Sequence, residues 1–453
     1  MTKGERRVAM ALAGVFSSRM LGLFMILPVF TLYAKELDGY SLTLAGLAIG
    51  IYGLTQALLQ IPLGMLSDRI GRKPVIFAGL LVFGIGSVVA AMSHTMWGVI
   101  IGRALQGAGA IASAVLALAA DLTREEHRLK VMALIGVSIG VSFGVAMVAG
   151  PLLHGWFGVP GIFWVTAGLA LLAMLIVRQV IPSPVSARFH RDTEVDVGGL
   201  RKVLFDTQLL RADFGIFALH MMLMANFVVL PKILQEQFGV PGEHHWMLYL
   251  PVMAFSMLGM VPFIILAEKK RKVKQVLAFA ISLMLAAQLA LANRIVSMAG
   301  MVFVLLLFFM AFNLLEASLP SLIAKLAPVT HKGTAMGVYT TSQFLGVFTG
   351  GTVGGWLVDH FGMTSLFLFT SGLAGVWLLL VLTMRQPAYY SSQMLNVGQM
   401  SEQQAASLVR ELTAVPGVME AIIIAEEGIA YLKVDKPRLD QSALFSYSVT
   451  AQT

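Results

Sequence analysis

Twelve stretches of this 453-residue chain are each apolar for about the length that crosses a bilayer, and nothing else in it restricts the fold as strongly. A helix needs ~20 apolar residues to span the hydrocarbon layer. By that measure spans fall at about 8–33, 43–66, 74–93, 96–120, 131–155, 160–181, 211–234, 246–267, 273–293, 297–324, 333–358 and 363–384. Inside lipid the backbone has no water to bond, so such segments must be helices. The chain is 57% hydrophobic and 12% charged, more apolar surface than a soluble domain can hide. Pro74 suits a first helical position, and Asp38-Gly39, Pro160-Gly161 and Pro241-Gly242 read as turns. The N-terminal MTKGERRVAM has the charge of a signal peptide. Val8 to Tyr33 is nevertheless too long for a signal core and lacks a small-x-small cleavage site, so it reads as a retained first helix.

Lys and Arg placement sets the expected orientation. With an even number of spans both termini share one side, and that side collects 27 of the 32 basic residues. Lys35, Lys232 and Arg294 lie on the other, and Arg19 and Arg103 lie inside spans. By the positive-inside rule both termini are expected in the cytoplasm. The net charge of +8 therefore sits in short loops between apolar runs and does not point to nucleic acid. The absence of cysteine removes disulfides, thiolate metal sites and thiol nucleophiles, and no metal site or other cofactor is expected. No Gly-x-x-x-x-Gly-Lys-Ser/Thr phosphate loop occurs, which argues against an ATPase, and no enzymatic activity is expected.

The longest internal loop, 182–210, divides the chain into six spans over 1–181 and six over 211–386. Leu200, Val203 and Leu204 share one face of that loop, which suits either an interfacial helix or a flexible linker. An offset of 200 sets Pro62 on Pro262, Asp68 on Glu268 and Arg69 on Lys269. Offsets of 203 and 204 set Leu27-Pro28 on Leu230-Pro231 and Phe157-Gly158 on Phe361-Gly362. Matches that follow the order of the helices point to parallel repeats around a midplane site, with transport by rocking one bundle against the other.

After the second span the chain reads Gly64-x-Leu66-x-Asp68-Arg69-x-Gly71-Arg72-Lys73. With Arg103-x-x-Gln106-Gly107-x-Gly109-Ala110 in the fourth span and Gly150-Pro151 in the fifth, this resembles the signature motifs of the major facilitator superfamily, of the drug:proton antiporter type. The resemblance covers about residues 8–384. It implies twelve helices in two six-helix repeats in a bacterial inner membrane, and a latch at the charged turn that joins the halves in the outward-facing state. Physically, Gly64 permits close helix approach, and Gly71 can take the positive φ of a tight turn. Asp68 suits the N-terminus of the eleventh helix near Gly333, and Arg72 suits Asp121 at the end of the fourth. A charged turn that only enforces topology is the simpler alternative. Gly136, Gly140 and Gly144 on the fifth helix, with Gly150 and Pro151, read as a packing face. Ala146 and His154 stand where the antiporter pattern has glycine.

An ionisable side chain at mid-span costs at least ~2.5–3.5 kcal/mol and needs partners or water. Arg19, Arg103 and Glu316 qualify. Glu316 is the acid farthest from both ends of a span, so it is the first candidate proton carrier, against a static ion pair with an arginine. The resemblance gives Arg103 a part in proton coupling. Arg19 stands where many multidrug relatives have an acid, which leaves room for neutral, zwitterionic or anionic cargo. His220 titrates near neutrality, although a lone His on an apolar helix is more often structural. Gln56, Gln60, Gln106, Asn226, Asn313 and Gln343 are candidates to line the site or to bond between helices.

Residues 388–453 are polar. A strand at 393–397, a helix capped by Ser401, a hairpin across Glu426-Glu427-Gly428 and a second helix near 439–447 give βαββα, a small α+β ferredoxin-like domain. The stretch resembles heavy-metal-associated domains without their Cys-x-x-Cys, which leaves a module for a cytoplasmic ligand or protein, or a stabilising appendage. The expected function is export of a small organic molecule driven by the proton gradient, with lipid, protons and cargo as partners. Uptake, facilitated diffusion or a membrane sensor that signals through the tail are the alternatives.

Overall fold

The computed structural model describes residues 1–183, 197–293, 295, 297–328, 331–385, 391–425 and 428–449. Six membrane-length helices occupy the first part of the chain: Lys3–Phe24, Leu42–Ile70, Arg72–Met92, Met96–Asp121, and two within Glu125–Gln179. Six more follow: Thr207–Glu236, Trp246–Lys269, Val273–Ala292, Met298–Leu326, Lys332–Phe361 and Met363–Leu382. They are called the first to twelfth spans below. Lys332–Phe361 is 30 residues long and rich in glycine.

Three details differ from the sequence expectation. The first helix stops at Phe24 and resumes only over Phe30–Tyr33, because Pro28 has no N–H to continue the ladder. The fourth is interrupted between Ala108 and Ala112, where the Gly109 and Gly79 backbones approach too closely to admit a Cβ. The fifth and sixth are separated at Gly158, whose φ is 66°, and not at Pro160-Gly161. Pro160 instead sits at the start of the sixth helix, where its missing N–H is harmless.

Within the first half, the first span packs on the fifth-to-sixth segment, and the third on the fourth and sixth. In the second half the ninth packs on the tenth and twelfth, and the eighth on the tenth. The eleventh span is shared, lying along both the second and the seventh. Glycines set that shared seam. A Cβ at Gly346 or Gly350 would strike the Phe217 or Met221 carbonyl of the seventh span. One at Gly46, Gly50 or Gly53 would strike the carbonyls of Gly351, Phe348 or Phe344. Close backbone approach of this kind replaces the hydrophobic effect as the source of helix association in lipid.

Between the halves, a short helix at Val197–Leu204 buries Val203, and its Gly199 lies against the His331 ring at the start of the eleventh span. It docks on protein there while Leu204 and Phe205 stay exposed; residues 184–196 of that loop, and Arg294, lie outside the described residues. The tail forms β1 (Ser391–Asn396), a helix Glu402–Ala414, β2 (Val418–Ile424), β3 (Ile429–Val434) and a short helix Gln441–Phe445. The strands order β1-β3-β2, all neighbours antiparallel, the split βαβ arrangement of a ferredoxin-like sheet. Ser401 and Gln404 form a reciprocal capping box that starts its first helix. Glu426 and Glu427, placed in the hairpin turn, lie outside the described residues.

Candidate transport site

The charged turn knits one half together. Gly71 takes φ 99° and ends the second span, so Arg72 turns back beneath it, only 2% exposed. Arg72 pairs with Asp68, donates to Ser67 Oγ at 2.9 Å, and places Nε 3.3 Å from Asp121 Oδ2 at the end of the fourth span. Lys73 Nζ donates to the Ile181 carbonyl at 2.7 Å, reaching the end of the sixth. A Cβ at Gly64 would lie 3.0 Å from Ser113 Cβ, so the second and fourth spans meet there. Arg69 is exposed. Asp68 bonds Arg72 of its own half here and not the start of the eleventh span. The repeated turn has its own version: Glu268 accepts from Lys325 Nζ at 2.8 Å and Ser321 Oγ at 3.0 Å, tying the eighth span to the tenth.

At the face away from the termini, polar contacts join the two halves. Asp359, at the end of the eleventh span, accepts from the Thr43 N–H and Thr43 Oγ1, each at 2.6 Å, and from the Leu42 N–H at 3.2 Å. These are the free donors at the N-terminus of the second span, where a carboxylate is favoured. Lys35 Nζ meets Glu236 Oε1 at 2.6 Å, and His245 Nδ1 lies 3.3 Å from the Pro28 carbonyl. Sequence reading missed Asp359, Lys35 and Glu236, because acids and bases near span ends look alike whether or not they meet.

Toward the face that carries the termini, the fifth span is open. A Cβ at Gly136, Gly140 or Gly144 would meet nothing within 4 Å, so these glycines do not form the packing face expected of them. Of that set Gly150 packs tightly, against the Met25 carbonyl and Pro28 of the first span, one residue before Pro151. The physical reason is the arrangement of the halves. They touch at the face away from the termini, and near the other face this small-residue stripe meets open space.

The buried charges are segregated by half. Arg19, 2% exposed, donates from Nη2 to Tyr52 Oη at 3.0 Å and to Gln56 Oε1 at 2.8 Å. Arg103, fully buried, donates from Nη1 to Gln106 Oε1 at 2.7 Å and stands 5.0 Å over the Tyr52 ring. Their partners among the described residues are neutral acceptors and ring faces, which stabilise a guanidinium without a carboxylate. In the other half, Glu316 has no arginine partner among the described residues, so the static arginine pair is not formed. Its Oε2 lies 3.8 Å from His220 Nε2, and Gln343 Nε2 donates to its Oε1 at 3.5 Å. Gln343 Nε2 is also 2.8 Å from His220 Nε2, while His220 Nδ1 faces the Ile216 carbonyl at 3.3 Å. A carbonyl only accepts, so Nδ1 carries the ring proton and Nε2 is the acceptor. His220 is thus part of a polar cluster and not a lone core histidine.

Four expected lining residues are instead buried, three of them bonded between helices and Gln60 bonded to Gln56 of its own span. Gln56 bonds Gln60 and Arg19, Gln106 donates to Ser87 Oγ at 2.8 Å, and Asn226 accepts from Gln288 Nε2 at 3.3 Å. Asn313, bonded to Ser256 Oγ at 2.9 Å, and Gln343 keep partial exposure. One more acid belongs with this cluster and was passed over in sequence: Asp213, two turns before His220 on the seventh span.

This geometry has close counterparts. The model of the Major Facilitator Superfamily matches residues 12–351 and 212–395. The chain is 49% identical over 435 residues to the inner membrane transport protein YajR of Escherichia coli, covering 96% of this chain and 95% of that protein. It is 26% identical to the multidrug resistance protein MdtH of Yersinia enterocolitica, over 75% of this chain and 84% of that one. A bacterial homolog of the human lysosomal transporter Spinster, solved in an inward-facing and occupied conformation, superposes with a TM-score of 0.70 at 14% identity, over 84% of this chain and 97% of that one. Together with the twelve spans and the charged turn, these matches settle the family: the chain is a multi-pass membrane transporter belonging to the Major Facilitator Superfamily.

Proposed function

We propose that this protein is a proton-coupled secondary transporter of the bacterial inner membrane that exports a small organic molecule by alternating access. The observation that carries the reading is Glu316, an intramembrane acid bonded by Gln343 beside His220, with one oxygen, Oε2, lacking a hydrogen-bond partner among the described residues. An acid so placed needs a counter-charge, and a proton supplies one that can be taken up and released in each cycle. The excess of Lys and Arg on the side of the termini supports a cytoplasmic location for that side. The gap beside Gly136, Gly140 and Gly144 then opens inward, and the contacts of Asp359, Lys35 and Glu236 close the outer face. In that state Asp68 is disengaged from the eleventh span, and it latches the halves only when they close at the cytoplasmic face.

The test is flux in proteoliposomes, with a cargo first identified from a screen of drug-like organic compounds. Export coupled to protons predicts transport that follows an imposed pH gradient and reverses with it; flux indifferent to the gradient would overturn the coupling. A second reading, a sensor that signals through the tail, draws on Arg271 Nη2, 3.4 Å from Asp435 Oδ1, which links the loop after the eighth span to the tail. Ligand-dependent capture of a cytoplasmic partner without flux would favour it.

A further inference from the structure

Asp213 is 5% exposed, and neither of its carboxyl oxygens has a hydrogen-bond partner. It lies on the seventh span seven residues before His220, two helical turns and on the same face. The elements packed on that span bring few charges to it. The eleventh contributes Tyr339, 3% exposed with its hydroxyl unpartnered, and Lys332 at its start. Glu316 and Lys325 come from the tenth, and Arg201 and Lys202 from the linker helix. Near Gly215 the twelfth offers the neutral Trp377 indole. Among the described residues none of these cations forms an ion pair with Asp213. Tyr339 lies within electrostatic reach of both Asp213 and Glu316.

We propose that Asp213 is a second proton-binding carboxyl of the transport cycle, standing between the face of the termini and Glu316, with the Tyr339 hydroxyl as the polar group the two acids share. The inference rests on the proton-coupled reading and extends it. An ionised carboxylate buried without a hydrogen bond or counter-charge is strongly disfavoured. A proton meets that need without space for a larger cation, and Asp213 has almost no surface at which a larger one could enter. In the step that follows, an O–H bond breaks at Asp213 and one forms at Glu316 Oε2, leaving Asp213 to be recharged from water at the nearer face. No electron changes hands. The spacing makes Asp213 the entry point and Glu316 the midplane store.

Infrared difference spectroscopy on the full-length protein in nanodiscs tests this without a cargo, with solution pH as the probe. Protonated carboxyls absorb apart from the amide bands, so their loss on raising the pH from mildly acidic to mildly alkaline can be followed directly. The expected result is that Asp213→Asn and Glu316→Gln each remove their share of that absorption. Asp213→Glu restores a band at shifted frequency, and Tyr339→Phe moves the pH at which both remaining acids titrate. An Asp213→Asn spectrum identical to the unsubstituted protein overturns the inference. If Glu316→Gln still removes its share, the proton-coupled reading stands alone; if it too changes nothing, both fall. Monodisperse elution of each variant shows that it is folded, and Asp213→Glu keeps the test decisive if Asp213→Asn does not fold.

Discussion

Asp359 accepts two bonds of 2.6 Å from Thr43, one from its backbone N–H and one from its hydroxyl, and so caps the second span from the end of the eleventh. The second and eleventh spans run antiparallel, and each carries an acid near its last turn. Asp359 is engaged here, whereas Asp68 at the opposite end is turned to Arg72. On the alternating-access reading proposed above, rocking the halves about the midplane would release the Asp359 clasp and bring Asp68 to the start of the eleventh span.

Replacing Asp359 with asparagine keeps its shape and removes its charge. A carboxylate at a helix N-terminus contributes ~0.3–1 kcal/mol, up to ~2 when partly buried. The ratio of molecules closed at this face should therefore fall by about 2- to 30-fold. Paired spin labels on cysteines introduced at Asp38 and Phe361 would read it as growth of the longer-distance population. The natural chain has no cysteine, so such labels are free of background. An unchanged distance distribution would show that the cap contributes nothing to closure.

Arg72 and Asp121 form a different kind of pair, with side chains 1% and 0% exposed. Removing Asp121 takes a buried carboxylate from a buried guanidinium that keeps Asp68 and Ser67, so the loss should approach but not exceed the roughly 3–5 kcal/mol of a fully broken buried pair. Asp121→Ala should lower the thermal unfolding temperature in detergent well beyond Arg69→Ala, since Arg69 is exposed. Equal melting of the two variants would place the ion pair among the dispensable surface charges.

Much of this architecture is legible in the sequence because lipid leaves so few choices. Span number follows from apolar length, and the Arg72–Asp121 pair from two opposite charges at neighbouring span ends. What could not be read depends on the relation between distant segments. Asp213 stands only two residues from Arg211 in sequence, which makes it look like a boundary charge, and burial alone separates the two. Gly136, Gly140 and Gly144 carry the spacing of a packing face, yet whether the face is filled depends on which end of the molecule is closed. For the linker helix, the apolar face of Leu200 and Val203 announced a surface to be covered without naming the eleventh span as the cover.

Glu316→Gln should abolish the response of flux to a pH gradient while leaving the protein folded. Gln retains the carbonyl that accepts from Gln343 and cannot release a proton. The expected outcome is residual flux down the cargo's own gradient, equal at all imposed pH differences. Gradient-driven accumulation that survives in this variant would move the coupling role elsewhere in the cluster.

The glycines of the seam and of the fifth span should respond in opposite directions. At Gly46 a side chain would collide with the Gly351 carbonyl, in backbone that cannot yield without separating the two spans. At Gly140 it would enter open space. Gly46→Val is therefore expected to disfavour the present arrangement, and Gly140→Leu to be accommodated in it and to obstruct closure beside the fifth span. Spin labels at Arg69 and Lys270 would report the gap on the face of the termini, alongside the Asp38–Phe361 pair on the other. Gly46→Val should shorten the first mean distance and lengthen the second, and Gly140→Leu should lengthen the first and shorten the second, toward the values of the present structure. The two substitutions change only volume, so opposite shifts would trace the motion to the packing of the halves, independently of any charge. Shifts of the same sign in both variants would mean that the open and closed faces are not exchanged by one rocking motion.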